Sequence, residues 1–121
     1  MHFDLPIYNA VIDLQKFIAE RAVKNLPRDV KNPYAYLLVA EALEMAVIVR
    51  HANIAIGRRK ALHFERLLDA VERVQVILRV LRDLKHLSNT AWSASLEFTV
   101  SIGKQATALR NKFAPFPSPA A

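Results

Sequence analysis

Apolar side chains recur along this chain at the three- and four-residue intervals of helices, in four stretches separated by short polar or proline-containing breaks. The first stretch starts at Asp4, an acceptor able to cap a helix, and continues to about Asn25. Its apolar positions Tyr8, Val11, Ile12, Ile18, Ala22 and Leu26 fall near one face. Pro27 ends it, and residues 26–33 read as the first connection. Asn32 followed by Pro33 then supplies a cap and a first helical residue for a second helix, which runs to about Ile56 and stops at Gly57. A third helix is expected over residues 60–86, with Phe64, Leu67, Leu68, Val71, Val74 and Leu78 as its core stripe. Ser88 caps a fourth, from Asn89 to about Lys112, with Trp92, Leu96, Val100, Ala106 and Leu109 turned inward. Four helices of similar length with short links predict an all-α, up-down-up-down four-helix bundle over residues 1–112. Residues 113–121 hold three prolines and are expected to be extended or disordered.

The second helix breaks the usual one-sided pattern. Leu38, Met45, Ile48, Val49 and Ala52 lie towards one side, and Val39, Leu43, Val47 and Ile54 towards the other. A surface helix of a monomer carries one apolar stripe and a polar opposite face. In the third helix Val76, Ile77, Val80 and Leu84 likewise add a second apolar surface. Two arrangements account for this: a central helix flanked by the other three, or an interface between subunits. Four helices cannot wholly surround two neighbouring ones, which favours the interface. Its candidate residues are Val39, Leu43, Val47, Ile54, Val76, Val80 and Leu84.

Composition narrows the picture further. With 121 residues the chain has room for one core, and 53% of it is apolar. Only two glycines are present, too few for a fold built on many tight turns. There is no cysteine, which excludes disulfides and thiolate metal sites and fits a cytoplasmic setting. Glu41, Glu44 and Arg50 interrupt the most apolar stretch, so no membrane span is expected. Asp4 and Asp13 stand where a secretion signal would be basic or uncharged.

The catalytic inventory is thin. Gly57 and Gly103 stand alone, so no phosphate-cradling loop is present, and no serine sits in a nucleophile-elbow pattern. Asp83 and His86 have ligand-like spacing, but one such pair offers at most two ligands; a solvated or capping histidine is the favoured reading. His51 and His63 read as boundary histidines near the second connection. Glu41 and Glu44 fit three roles: an acid–base pair, a narrow solvated stripe, or partners in ion pairs. No enzyme activity, cofactor or metal is expected.

Charge is more informative. The formal net charge is +6, which predicts attraction to polyanions. Arg50, His51, Arg58, Arg59, Lys60, His63 and Arg66 crowd one stretch against the single acid Glu65. Cations at the start of a helix oppose its dipole; a solvated end kept basic for solubility and a polyanion site both account for them, and the polyanion site is favoured. The up-down topology brings Arg110 and Lys112 to the same end. Arg58, Arg59, Lys60, Arg66, Arg110 and Lys112 are therefore the candidate nucleic-acid-binding residues, contacting RNA or DNA through its backbone rather than its bases. A protein-interaction scaffold that never meets nucleic acid is the rival reading.

Several segments carry a resemblance: the "LPR" turn at residues 26–28, "ANIAIGRR" at 52–59, "DLKHLS" at 83–88 and "SIGKQ" at 101–105. Over residues 5–112 the chain resembles a bacterial four-helix-bundle family that includes proteins encoded in 23S rRNA intervening sequences and the accessory variability proteins of diversity-generating retroelements. The resemblance implies a homopentameric ring of bundles with a basic surface. In the retroelement branch it also implies binding to a reverse transcriptase and to nucleic acid. The proline-rich tail and the small polar residues Ser93, Ser95 and Thr99 of the fourth helix depart from that pattern.

Overall fold

A computed structural model describes residues 5–24 and 26–114, and among them every extended element is helical. The expected cap at Asp4 and the tail beyond Ala114 lie outside the described residues, as does the side chain of Asn32. Helix α1 spans Leu5–Phe17, α2 Tyr36–Ile54, α3 Arg58–Asp83 and α4 Asn89–Phe113.

Each helix packs on its neighbour in the chain, and α1 closes the square against α4. Cross-helix pairs fix the directions. Between α2 and α3, Arg73 Nε donates to Glu41 Oε1 at 2.8 Å, and the His51 and His63 rings meet at 5.9 Å. Between α3 and α4, Gln75 Nε2 donates to Thr99 Oγ1 at 3.1 Å and the Arg82 guanidinium lies over the Trp92 ring at 4.3 Å. In each set, later residues of one helix meet earlier residues of the next, so the neighbours run antiparallel.

The first crossover differs from the sequence reading. After Phe17 the helix continues into a wide turn, Ile18–Ala22, in which the Val23 N–H reaches back five residues to the Ile18 carbonyl. Residues 26–33 are not an irregular loop: Arg28–Val30 forms a single helical turn and Lys31–Ala35 a second wide one. Pro33 therefore sits inside a wide turn rather than at the first position of a regular helix, and α2 proper begins at Tyr36. Proline has no N–H and its ring crowds the preceding turn, a conflict that a widened turn relieves.

The other two connections are tight. Ala55 is extended and Gly57 has φ +59° and ψ −133°, a backbone region open to glycine alone, so α2 ends at Ile54. Helix α3 ends at Asp83, three residues short of the expected His86. There the His86 N–H donates to the Leu81 carbonyl at 2.8 Å and the Lys85 N–H to Arg82 at 2.9 Å, the paired bonds of a Schellman stop. Lys85 holds the left-handed position at φ +65° that glycine normally takes. Ser88 does cap α4, its Oγ accepting from the Ala91 N–H at 3.0 Å.

The core contains Ile7, Val11, Leu14, Phe17 and Ile18 from α1 and its extension, with Leu38, Met45 and Val49 from α2. From α3 it takes Phe64, Leu67, Val71, Val74, Leu78 and Leu81. Helix α4 departs from expectation: its inward face is Ala91, Ser95, Thr99, Ile102 and Ala106, whereas Val100 is exposed. Burial of the two hydroxyls is possible because each is satisfied. Ser95 donates to the Trp92 carbonyl, and Thr99 accepts from Gln75. Those small side chains let α4 lie close against its neighbours.

Candidate nucleic-acid interface

The antiparallel square gathers the end of α2, the start of α3 and the end of α4 at one end of the bundle. A single ring makes that visible. Phe113 holds the Lys60 ammonium 4.8 Å from its centroid and the Lys112 ammonium at 5.5 Å. Two cations on different helices thus share one aromatic ring, each attracted by its π electrons. Arg58, Arg59 and Arg66 are exposed along the first turns of α3, and half-buried Arg110 lies against Asn111 in the last turn of α4, 3.4 Å from its Oδ1. All six expected cations therefore belong to this end, with Arg66 two turns along α3.

The start of α3 has no side-chain cap accepting from its first amides. The unsatisfied N–H groups and the positive end of the helix dipole add to the field of Arg58, Arg59 and Lys60. This arrangement costs stability, a cost that a bound anion would offset.

Beside it, a cleft of about 370 Å³ is lined by Arg59, Leu62, His63, Glu65, Arg66 and Asp69. His63 is half-buried, and its Nδ1 is sealed off without a hydrogen-bond partner. Burial, then the nearby Arg66 charge, then His51 push the His63 imidazole below its ordinary value, so the neutral form prevails near neutral pH. The sequence reading treated both histidines as bland boundary residues; their ring contact across two helices was not legible from spacing alone.

The carboxylates behave structurally. Glu41 pairs with Arg73 inside the subunit, and that hydrogen bond raises the Arg73 value. Glu44 is exposed. Asp83 reaches Arg79 at 3.7 Å along its own helix, and His86 takes part in the helix stop through its backbone. Among the described residues, no group of three or more His, Cys, Asp or Glu side chains is arranged to hold a metal. None of the described helices is long and apolar enough to cross a membrane.

The second set of predicted residues lies on the outer surface. Val39, Leu43, Val47, Ile54, Val76 and Leu84 are exposed, and Val80 is half-buried. Ile77 differs from expectation: it turns partly inward and packs against the core. The sequence reading missed Tyr36, Leu37, Leu62 and Val100, which are exposed as well. On α2 the outward residues Tyr36, Ala40, Leu43, Val47 and Ile54 follow the spacing of a coiled-coil seam, on the face opposite Leu38, Met45, Val49 and Ala52. Helix α2 is therefore apolar on both sides, whereas the outer face of α3 is mostly charged before Val76.

Tyr36 is the one strongly exposed ring among the described residues, and it lies at the end of the bundle away from the cations. Among the described residues, the basic end thus offers charge without a strongly exposed Phe, Tyr or Trp ring. Compared with known proteins, the chain matches no family model, no curated protein and no solved structure.

Proposed function

We propose that this chain is a non-catalytic, self-associating module that binds the sugar–phosphate backbone of nucleic acid through the basic end of its bundle. The carrying observation is the convergence of Lys60 and Lys112 on Phe113, which brings the start of α3 and the end of α4 into one cationic surface. The apolar seam on α2 supports assembly from several copies, and repetition strengthens weak phosphate contacts through avidity. The resemblance supplies a form for that assembly, a homopentameric ring acting in the cytoplasm, with a reverse transcriptase as a further candidate partner. A net charge of +6 on each subunit adds long-range attraction for RNA or DNA.

The test is binding of labelled single-stranded RNA by the wild type and by a variant carrying R58E, R59E and K60E. Wild-type affinity should fall steeply with added salt, as counterion release requires. The triple variant should lose at least about a hundredfold at low salt, since reversing three phosphate-facing charges costs more than ~3 kcal/mol. Its helix should fold at least as well, because acids suit a helix start. Unchanged affinity would remove the site assignment. A second reading, a protein-interaction scaffold, is favoured by the exposed seam of α2 alone; it gains if the protein assembles yet binds no RNA at low salt.

A further inference from the structure

The six cations leave two basic groups of the same end unused: His51 on the last turns of α2 and His63 on the second turn of α3. Their rings meet nearly edge to face, with 65° between planes. Arg59, His63 and Arg66 follow one another at four- and three-residue intervals and form one ridge of α3 directed towards α2. His51 approaches from α2, and its exposed neighbour Arg50 is turned away along that helix. Glu65 and Asp69 also line the cleft, turned about a quarter-circle further round α3 from that ridge. Glu44, also exposed, lies two turns before His51 on α2.

We propose that the cleft on the first turns of α3, whose His63 meets His51 of α2, is a seat for a backbone phosphate of nucleic acid, and that the His51–His63 pair takes up a proton as that phosphate binds. The inference rests on the function proposed above and adds the two histidines, and a proton, to that site.

The physical case follows from what surrounds the rings. In the empty cleft a proton on His63 meets the charge of Arg66 and the neighbouring His51, and it leaves a half-buried charged ring with Nδ1 sealed from water. Both effects favour the neutral ring. A phosphodiester reverses the balance: its negative charge offsets the arginines, and its oxygens accept from the remaining ring N–H groups. Binding and protonation therefore assist one another, and by linkage affinity must rise as pH falls through the histidine range. Leu62 in the cleft wall excludes some water and strengthens the coupling.

The experiment measures binding of labelled single-stranded RNA by the full chain at about pH 7.5 and about pH 5.5, either side of the ordinary histidine value. Three proteins are compared: wild type, the double variant H51Q/H63Q, and the control H86Q, whose altered histidine lies at the far end of α3. Circular dichroism at both pH values keeps folding under observation. Wild type and H86Q should bind about fivefold or more tightly at the lower pH, within the limit of about tenfold per pH unit for each proton taken up. Each protein is read as the ratio of its own affinities at the two pH values, and H51Q/H63Q should lose the gain that wild type and H86Q show. A double variant that keeps the full pH response would overturn the inference, as would pH-independent binding by the wild type. Either result leaves the proposed function standing. Failure to bind RNA at both pH values would remove that function together with this inference.

Discussion

Replacing Leu43 by glutamate is the sharpest probe of self-association. Leu43 is 54% exposed, in the middle of a seam flanked by Tyr36 at 74% and Ile54 at 66%. Full burial of such a side chain is worth about 1.5–3 kcal/mol, so covering the exposed half of Leu43 contributes about 1 kcal/mol. Tyr36, Leu37, Val39, Leu43, Val47 and Ile54 are all open in one copy. Covering them contributes about 6 kcal/mol per copy, or about 12 kcal/mol when two such faces are covered, against association costs of about 4–15 kcal/mol. The seam therefore supports assembly at micromolar concentration when the association cost lies near the low end of that range, and has no surplus beyond it. Glutamate removes the leucine contribution and adds the desolvation of a carboxylate, together about 3 kcal/mol, which weakens association by more than about a hundredfold. Because position 43 faces away from the core, the bundle itself should keep its helical signal and melting behaviour. Sedimentation equilibrium at micromolar concentration is the assay: oligomer for the wild type, monomer for Leu43→Glu. A wild type that sediments as a monomer, or a variant that assembles as well as the wild type, refutes the reasoning.

Two further outcomes concern stability. Lys85→Gly should stabilise the fold by about 0.5–1 kcal/mol in chemical denaturation: a left-handed non-glycine residue costs about 1–2 kcal/mol, partly offset by the extra freedom of glycine in the unfolded chain. A loss of stability would show that the Schellman stop depends on the lysine side chain. Stability should also fall as pH drops through the ordinary histidine value of 6.5, because the folded-state value of His63 lies lower. The unfolded chain then holds the proton more readily, so this loss begins near the unfolded value and is complete below the folded one. His63→Gln should flatten that part of a thermal-melt series against pH.

Helix number, order and two of the end signals were legible because they rest on single residues with strong local chemistry. Ser88 caps α4 as its position implies, and Gly57 breaks the chain between α2 and α3. The α3 stop was hidden because a lysine occupies the position where glycine would announce a left-handed turn. The wide turns around Pro33 were hidden because five-residue backbone bonding leaves no mark in apolar spacing. On α4 the expected Trp92, Ala106 and Leu109 do turn towards the core, but Val100 does not, for a plainer reason: periodicity counts apolar side chains, and the inward face includes Ser95 and Thr99. Only a tertiary partner, Gln75, and a local backbone bond tell a buried hydroxyl from a solvated one. The cations' shared end followed from topology, since antiparallel helices of similar length align their ends. The histidine contact needed the register between α2 and α3, which the sequence constrains to within about a turn.

The meeting of Phe17 and Phe98, with centroids 5.4 Å apart, brings Leu5 level with the closing turn of α4. The first and last described residues thus leave the bundle beside Lys60 and Lys112. A purification handle joined directly to either described end would start beside that cationic surface. An acidic handle would compete with RNA there, and an oligohistidine would supply a spurious pH response of its own. Affinity measurements on this protein are therefore interpretable only after both handles have been cleaved away.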